Sequence, residues 1–313
     1  RAHSGRARSP ASLGLSSQRR LASVPDPSQY VSQMTTVKAT PSRAGADSGL
    51  RAYIVTIYGL YAREVGGWLG ISTLIQLMAQ LDVDEPAVRS SISRLKRRGI
   101  LESERVDGRA GYGLSAQARV ILDEGDRRIF RRRQGTVDEG WVLVVFSVPE
   151  SERQRRHTLR SRLSWLGFGS VGAGVWIAPA HLQAEARDVL QREELSDYVD
   201  LFESRYLGFA AVADEVAQWW DLAGLDRLYQ QFHDEYAPVL ERWRSRAGRD
   251  HEGEAFADYI RVLTAWRRLP YLDPGLAPEL LPRDWSGQRA ADLFFTLKRR
   301  LEDPAHRFVG SVR

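Results

Sequence analysis

The sequence predicts an α+β protein: an N-terminal winged helix-turn-helix, a central ferredoxin-like (split βαβ) domain and a C-terminal helical domain. Three observations carry this reading. A short helix with one apolar and one basic side lies between another helical stretch and a glycine-turn hairpin. A β-branched run then opens a strand-helix-strand-strand-helix-strand order. The remaining third keeps helical apolar spacing and concentrates aromatic residues.

Composition sets bounds on function. The 313 residues include 45 basic and 40 acidic side chains, a formal charge of +5 that permits nucleic-acid binding without requiring it. There is no cysteine, which excludes disulfides, thiolate metal sites and cysteine nucleophiles. No apolar run approaches the ~18 residues that cross a bilayer, so no membrane association and a cytoplasmic location are expected. Residues 1–49 are rich in Ser, Ala, Arg, Pro and Gly without sustained apolar period and read as an unfolded tail. Met34 is the first methionine. Residues 1–33 read either as an upstream extension before a Met34 start or as a flexible basic tail with weak nonspecific DNA affinity.

The first folded unit spans 50–133. Ile54, Val55, Ile57, Tyr58, Leu60 and Tyr61 give a dense apolar helix. Trp68 to Leu81 reads as a second helix capped by Ser72 or Thr73, and a turn from Asp82 to Glu85 leads to the third. In that third helix Asp84 caps the start, Pro86 fits a first-turn position and Gly99 closes the end. Ala87, Val88, Ile92 and Leu95 form its buried stripe. Arg89, Ser90, Ser93, Arg94, Lys96, Arg97 and Arg98 project from the rest of the circumference. Small hydroxyls allow close approach to a surface, and arginines supply forked donors for phosphates or guanine edges. Ile100–Val106, a turn over 107–111 and Tyr112–Leu114 read as a basic hairpin, with Arg109 at its tip. Together these elements point to double-stranded DNA as partner. Arg89, Ser90, Ser93 and Arg94 are the base-facing candidates, and Lys96, Arg97, Arg98 and Arg109 are assigned to phosphates. A helix from Ser115 to about Arg131 follows, with Val120, Ile121, Ile129 and Phe130 inward. Its end, Arg127–Arg133, reads as solvated.

The central unit covers 134–208, after a linker at 134–140. Trp141–Val148 is a buried strand, Arg153–Trp165 a helix crowded with arginines, 167–178 a glycine-turned hairpin, 181–194 a helix and 198–207 a last strand. The hairpin glycines match no phosphate loop. In the helical third unit, 209–313, apolar periodicity covers 213–220, 225–246, 254–269 and 288–301, and 270–285 reads as an extended loop.

Ile54-Val-Thr-Ile-Tyr-Gly, Trp68-Leu-Gly, Ala87-Val-Arg-Ser-Ser-Ile-Ser-Arg-Leu, Trp165-Leu-Gly-Phe-Gly-Ser, Gly174-Val-Trp-Ile and Leu280-Leu-Pro-Arg-Asp-Trp resemble the PaaX family. These are bacterial repressors of phenylacetic acid degradation operons, and the resemblance covers about residues 50–305. It implies the three-domain arrangement and a homodimer on a palindromic operator. It also implies release by an aryl-CoA thioester, typically phenylacetyl-CoA, acting as effector rather than cofactor. For such an effector the Arg153–Arg162 helix face and the C-terminal aromatics are the available cations and apolar lining, with no pocket residues singled out.

Two other readings stand beside it. The central unit also resembles CRISPR-associated ferredoxin-like nucleases, whose first strand ends in a metal-binding aspartate; Ser147 occupies that place here. His3, His157, His181, His233, His251 and His306 show no paired metal spacing, and no GxSxG nucleophile elbow occurs. No enzyme activity and no metal are therefore expected. The remaining reading is a DNA-binding regulator without a small-molecule ligand.

Overall fold

The computed structural model describes residues 43–246 and 251–313. The Met34 question and most of the expected tail lie outside them. Helix α1 runs Arg43–Ile57, so order begins before the expected Leu50. The helix widens into a π turn at Tyr58–Ala62 and tightens at Arg63–Val65. Next come β1 (Trp68–Gly70), α2 (Ile71–Ala79), α3 (Glu85–Arg97), β2 (Leu101–Val106), β3 (Arg109–Leu114) and α4 (Ala116–Phe130). Trp68–Gly70 was expected to be helical. It pairs antiparallel with β3 instead, giving a three-stranded sheet of order β1-β3-β2. Consequently α2 starts at Ile71, and its N-cap is Gly70 without a side-chain bond, not Ser72 or Thr73. Val120, expected inward on α4, is 49% exposed.

The central unit follows as β4 (Trp141–Phe146), α5 (Arg153–Trp165), β5 (Gly169–Gly172), β6 (Val175–Pro179), α6 (Gln183–Arg192) and β7 (Val199–Ser204). Its four antiparallel strands lie in the order β5-β6-β4-β7. One sheet face buries Val142 and Val144 against Leu159, Leu163 and Leu190 of the two helices. The other face, through Trp141 and Ile177, packs on Val216, Leu276 and Leu280 from the third unit.

The third unit holds α7 (Val212–Trp219), α8 (Leu222–Arg244), α9 (Glu252–Trp266), α10 (Leu269–Leu272) and α11 (Gly287–Ser311). Helix α11 continues past the expected end at Leu301 and carries Pro304 internally. Proline costs an isolated helix about 3 kcal/mol. Burial of Leu301, Ala305 and Val309 in a core shared with the first unit offsets that loss. The stretch 270–285, expected as loop, contains α10 and a 3₁₀ turn at Pro278–Leu280.

The first and third units share one apolar core. Ile54, Ile57 and Tyr58 of α1 join Phe256, Ile260 and Leu263 of α9 and Phe294 and Leu297 of α11 in it. Burying each such side chain contributes about 1.5–3 kcal/mol. Polar ties cross the same seam. The Thr56 and Thr264 hydroxyls lie 2.8 Å apart, Trp266 Nε1 donates to Ile129 O at 3.3 Å, and Arg267 donates to Ala52 O at 3.2 Å.

Candidate nucleic-acid interface

Local chemistry sets α3. The Asp84 side chain accepts from Ala87 N at 2.8 Å, Pro86 occupies the first turn, and Gly99 adopts φ +68° beyond the C-terminal end. Val88, Ser91, Ile92 and Leu95 are buried and fix its roll on the core. The residues on the opposite face follow from the helical period: Pro86, Ser90, Ser93, Arg94 and Arg97 stack along one stripe, with Arg89 at its border. Of these, Pro86, Arg89, Ser90, Ser93 and Arg97 are exposed and Arg94 is half-buried.

The phosphate candidates divide. Lys96 is exposed and stands over the Tyr112 ring at 5.7 Å. Arg98, half-buried beside Gly99, lies off the stripe. Arg89 pairs with Glu85 one turn back at 2.6 Å, with both side chains at least half exposed. Arg89 is a base-facing candidate rather than a phosphate one, and such a surface pair contributes only about 0.3–0.5 kcal/mol, too little to fix its guanidinium.

The hairpin differs from its expected form. Its turn is only Asp107 and Gly108, both at positive φ (50° and 77°), so Arg109 is the first residue of β3 opposite Val106 rather than the tip. Glu102, Glu104 and Asp107 accompany Arg105 and Arg109, so the hairpin is not net basic. Arg109 lies over the Trp68 indole at 5.8 Å and donates to Arg313 O at 3.4 Å. The Trp68 indole in turn donates to Glu104 O at 3.4 Å.

Sequence reasoning missed these ring platforms, because Trp68 reads as helical and Tyr112 only as the start of the hairpin's returning strand. A Cβ at Gly111 would stand 2.3 Å from Leu69 O and 2.5 Å from the Trp68 ring, so only glycine lets the indole lie across β3. Sequence reasoning also missed Ser91, buried on α3 with its hydroxyl unpaired.

The cations proposed for an effector are also redistributed. On α5, Arg155 pairs with Glu152, Arg156 with Glu150 and the buried Arg162 with Glu193. In the Arg127–Arg133 cluster, Arg127, Arg131 and Arg133 are exposed, as a solvated helix end requires, while Arg128 and Arg132 are half-buried and paired with acids of the central and third units. The C-terminal aromatics Tyr229, Phe256, Tyr259, Trp266 and Phe294 are buried core, with Trp266 and Phe294 stacked at 4.7 Å.

Ser147, at the position of the nuclease aspartate, follows β4, and its amide donates to Tyr198 O at 3.1 Å. Among the described residues no group of three or more His, Asp or Glu is placed to hold a metal ion. Among them, too, no helix is long and apolar enough to cross a membrane.

Three family models match in succession. "PaaX-like protein" covers residues 50–118, "PaaX protein central Cas2-like domain" 134–216 and "PaaX-like protein C-terminal domain" 220–311. The chain belongs to the PaaX family. The transcriptional repressor PaaX of Escherichia coli (strain K12) is 27% identical over 263 residues, covering 82% of each chain. The uncharacterized protein Rv0674 from Mycobacterium tuberculosis superposes with a TM-score of 0.51 at 24% identity, over 82% of this chain and 99% of that one. This second likeness supports the fold alone. The gaps between these matches, 119–133 and 217–219, fall mostly within α4 and within α7.

Proposed function

We propose that this PaaX-family protein is a sequence-specific DNA-binding transcriptional regulator and not an enzyme. In this reading α2 and α3 form a helix-turn-helix, the β2–β3 hairpin is its wing, and the four-stranded unit is ferredoxin-like. One observation carries it. The core fixes Val88, Ile92 and Leu95 inward, leaving Ser90, Ser93, Arg94 and Arg97 as one outward stripe on a helix of 13 residues. A helix of that size and chemistry suits a major groove. Kinship with a transcriptional repressor supports repression as the outcome.

The finer reading is a homodimer on a palindromic operator of an aromatic-acid catabolic operon, released by an aryl-CoA thioester such as phenylacetyl-CoA. One such unit makes roughly half a dozen phosphate contacts, enough for weak, salt-sensitive binding. Two copies at fixed half-site spacing supply the specificity. Fluorescence anisotropy on the DNA upstream of the protein's own gene, with and without phenylacetyl-CoA, tests both levels. Tight binding that weakens with salt and is released by the thioester is expected. Equal affinity for that DNA and for random DNA of the same length would overturn the regulator reading at this operator. Binding indifferent to the thioester would overturn the effector alone.

A further inference from the structure

The arginines that close α4 and enter the linker line a cavity of about 180 Å³ where all three units meet. Arg127, Arg128, Arg131, Arg132 and Arg133 come from the first unit, His181 and Glu185 from the central unit, and Asp273 and Gly275 from the third. The backbone is clamped at this point, since Gly135 N donates to Gly275 O at 2.8 Å. His181 sits between these two glycines. A Cβ on Gly135 would lie 3.2 Å from its Nδ1, and one on Gly275 would lie 3.3 Å from its Nε2.

The charges in this cavity do not balance. Arg128 is held by Glu185 at 3.0 Å and by the Trp165 and Leu166 carbonyls. Arg132 pairs with the buried Asp273, which also accepts from the Tyr229 hydroxyl at 2.6 Å, and Arg133 pairs with Glu139 at 2.8 Å. Arg127 and Arg131 have no hydrogen-bonded acid among the described residues; Arg131 acts on Asp126 only through its charge. Two further nitrogens of the lining, Arg132 Nε and His181 Nδ1, are buried without a hydrogen-bond partner. Burial, and then the charge of Arg133, hold the His181 pKa below its ordinary value. An anion is the missing component that would answer every one of these features. The cavity measures about 180 Å³. That is below the ~300 Å³ at which whole drug-sized ligands are usually enclosed, so the cavity fits one compact, highly charged group. Forked guanidiniums match phosphate oxygens two by two.

We propose that this junction binds a compact phosphate group, a diphosphate above all, either free or as part of a nucleotide-type ligand. The acid-paired arginines Arg128, Arg132 and Arg133 form its rigid floor, and Arg127 and Arg131 supply the open donors. A ligand held here touches the helix that leaves the hairpin, the linker and the loop after α10 together. Any preference it has for one arrangement of the three units is passed to the α3 surface by linkage. The site rests on its own lining and not on the thioester reading; a thioester's diphosphate is one member of the class.

The test is isothermal titration of the full chain, without DNA, by sodium pyrophosphate and separately by ADP at constant ionic strength. Saturable binding of at least one probe is expected. Loss of charge-assisted bonds in the Arg127→Gln/Arg131→Gln double variant should weaken it by at least about tenfold, with the melting temperature unchanged because both side chains are exposed. Arg97→Gln, on the α3 stripe, should leave pyrophosphate affinity unchanged. Tighter ADP than pyrophosphate assigns the nucleotide source, and equal or weaker ADP assigns the free anion. Absence of saturable binding by both probes, undiminished binding by the double variant, or loss of binding on Arg97→Gln would each overturn the site. Because no DNA is present, failure here is distinct from failure of the regulator reading.

Discussion

Arg94 and Arg109 are both arginines proposed to meet DNA, yet their surroundings predict different phenotypes. Arg94 stands on the α3 stripe beside Ser90 and Ser93, the place proposed for a bidentate contact to a base edge. Arg109 leans on Trp68 at the hairpin and is proposed to meet a phosphate. Arg94→Ala should cost about 1–3 kcal/mol on operator and little on random DNA, whereas Arg109→Ala should weaken both alike. Competition anisotropy with the two DNAs decides, and equal losses for Arg94→Ala would contradict the assignment. Gly111→Ala pushes a methyl into the indole and the Leu69 carbonyl. It should destabilise by about 1–3 kcal/mol, as overpacking does, seen as a lower melting temperature. Arg267 is a different case. Burial lowers its pKa to about 10, and its Nε has no partner. Replacing a buried, incompletely bonded charge by a similar apolar shape is often neutral or stabilising. Arg267→Met is therefore expected to keep or raise the melting temperature, and a clear fall would show that its bond to Ala52 O outweighs its desolvation.

Among the elements, α3 was the most legible in the sequence. Asp84, Pro86 and Gly99 are local signals, and the apolar period fixes the buried side without reference to the rest of the chain. Asp84→Ala removes a cap bond that contributes about 0.5–2 kcal/mol, and hydrogen exchange at Ala87 and Val88 should accelerate accordingly. Strand β1 was not legible. Three residues carry no period, and Trp68–Gly70 becomes a strand only because β3 offers its edge more than forty residues later. The last turns of α11 were hidden for a related reason, since Pro304 is a local stop signal outweighed by burial against the first unit. The pairing of Arg128 and Arg132 was not legible because their acids, Glu185 and Asp273, lie far along the chain. Sequence pattern reports what neighbours three or four residues apart do; these three features are made by partners it cannot align.

For the whole molecule, the α+β mixture and the helical last third were expected, but the joining of the first and third units was not. Apolar stripes on α1 and α9 each announce a buried face without naming the other. One core implies one cooperative unit. Native-state hydrogen exchange should give α1 and α9 amides the same opening free energy, while the β4–β6 amides, with their own core, are free to differ. Earlier exchange throughout α1 than α9 would separate them. The end of α11 has a practical consequence. Arg313 donates to Tyr61 O at 2.5 Å, and its own carbonyl receives Arg109 from the hairpin, while Val312 O accepts from Thr73 on α2. Whatever follows Arg313 must leave beside Trp68 and the hairpin. An affinity tag or fluorescent fusion attached there would crowd the face proposed to meet DNA, and a polyhistidine tail would add its own pull on phosphate. Binding constants measured on such a fusion would report the tag as much as the protein.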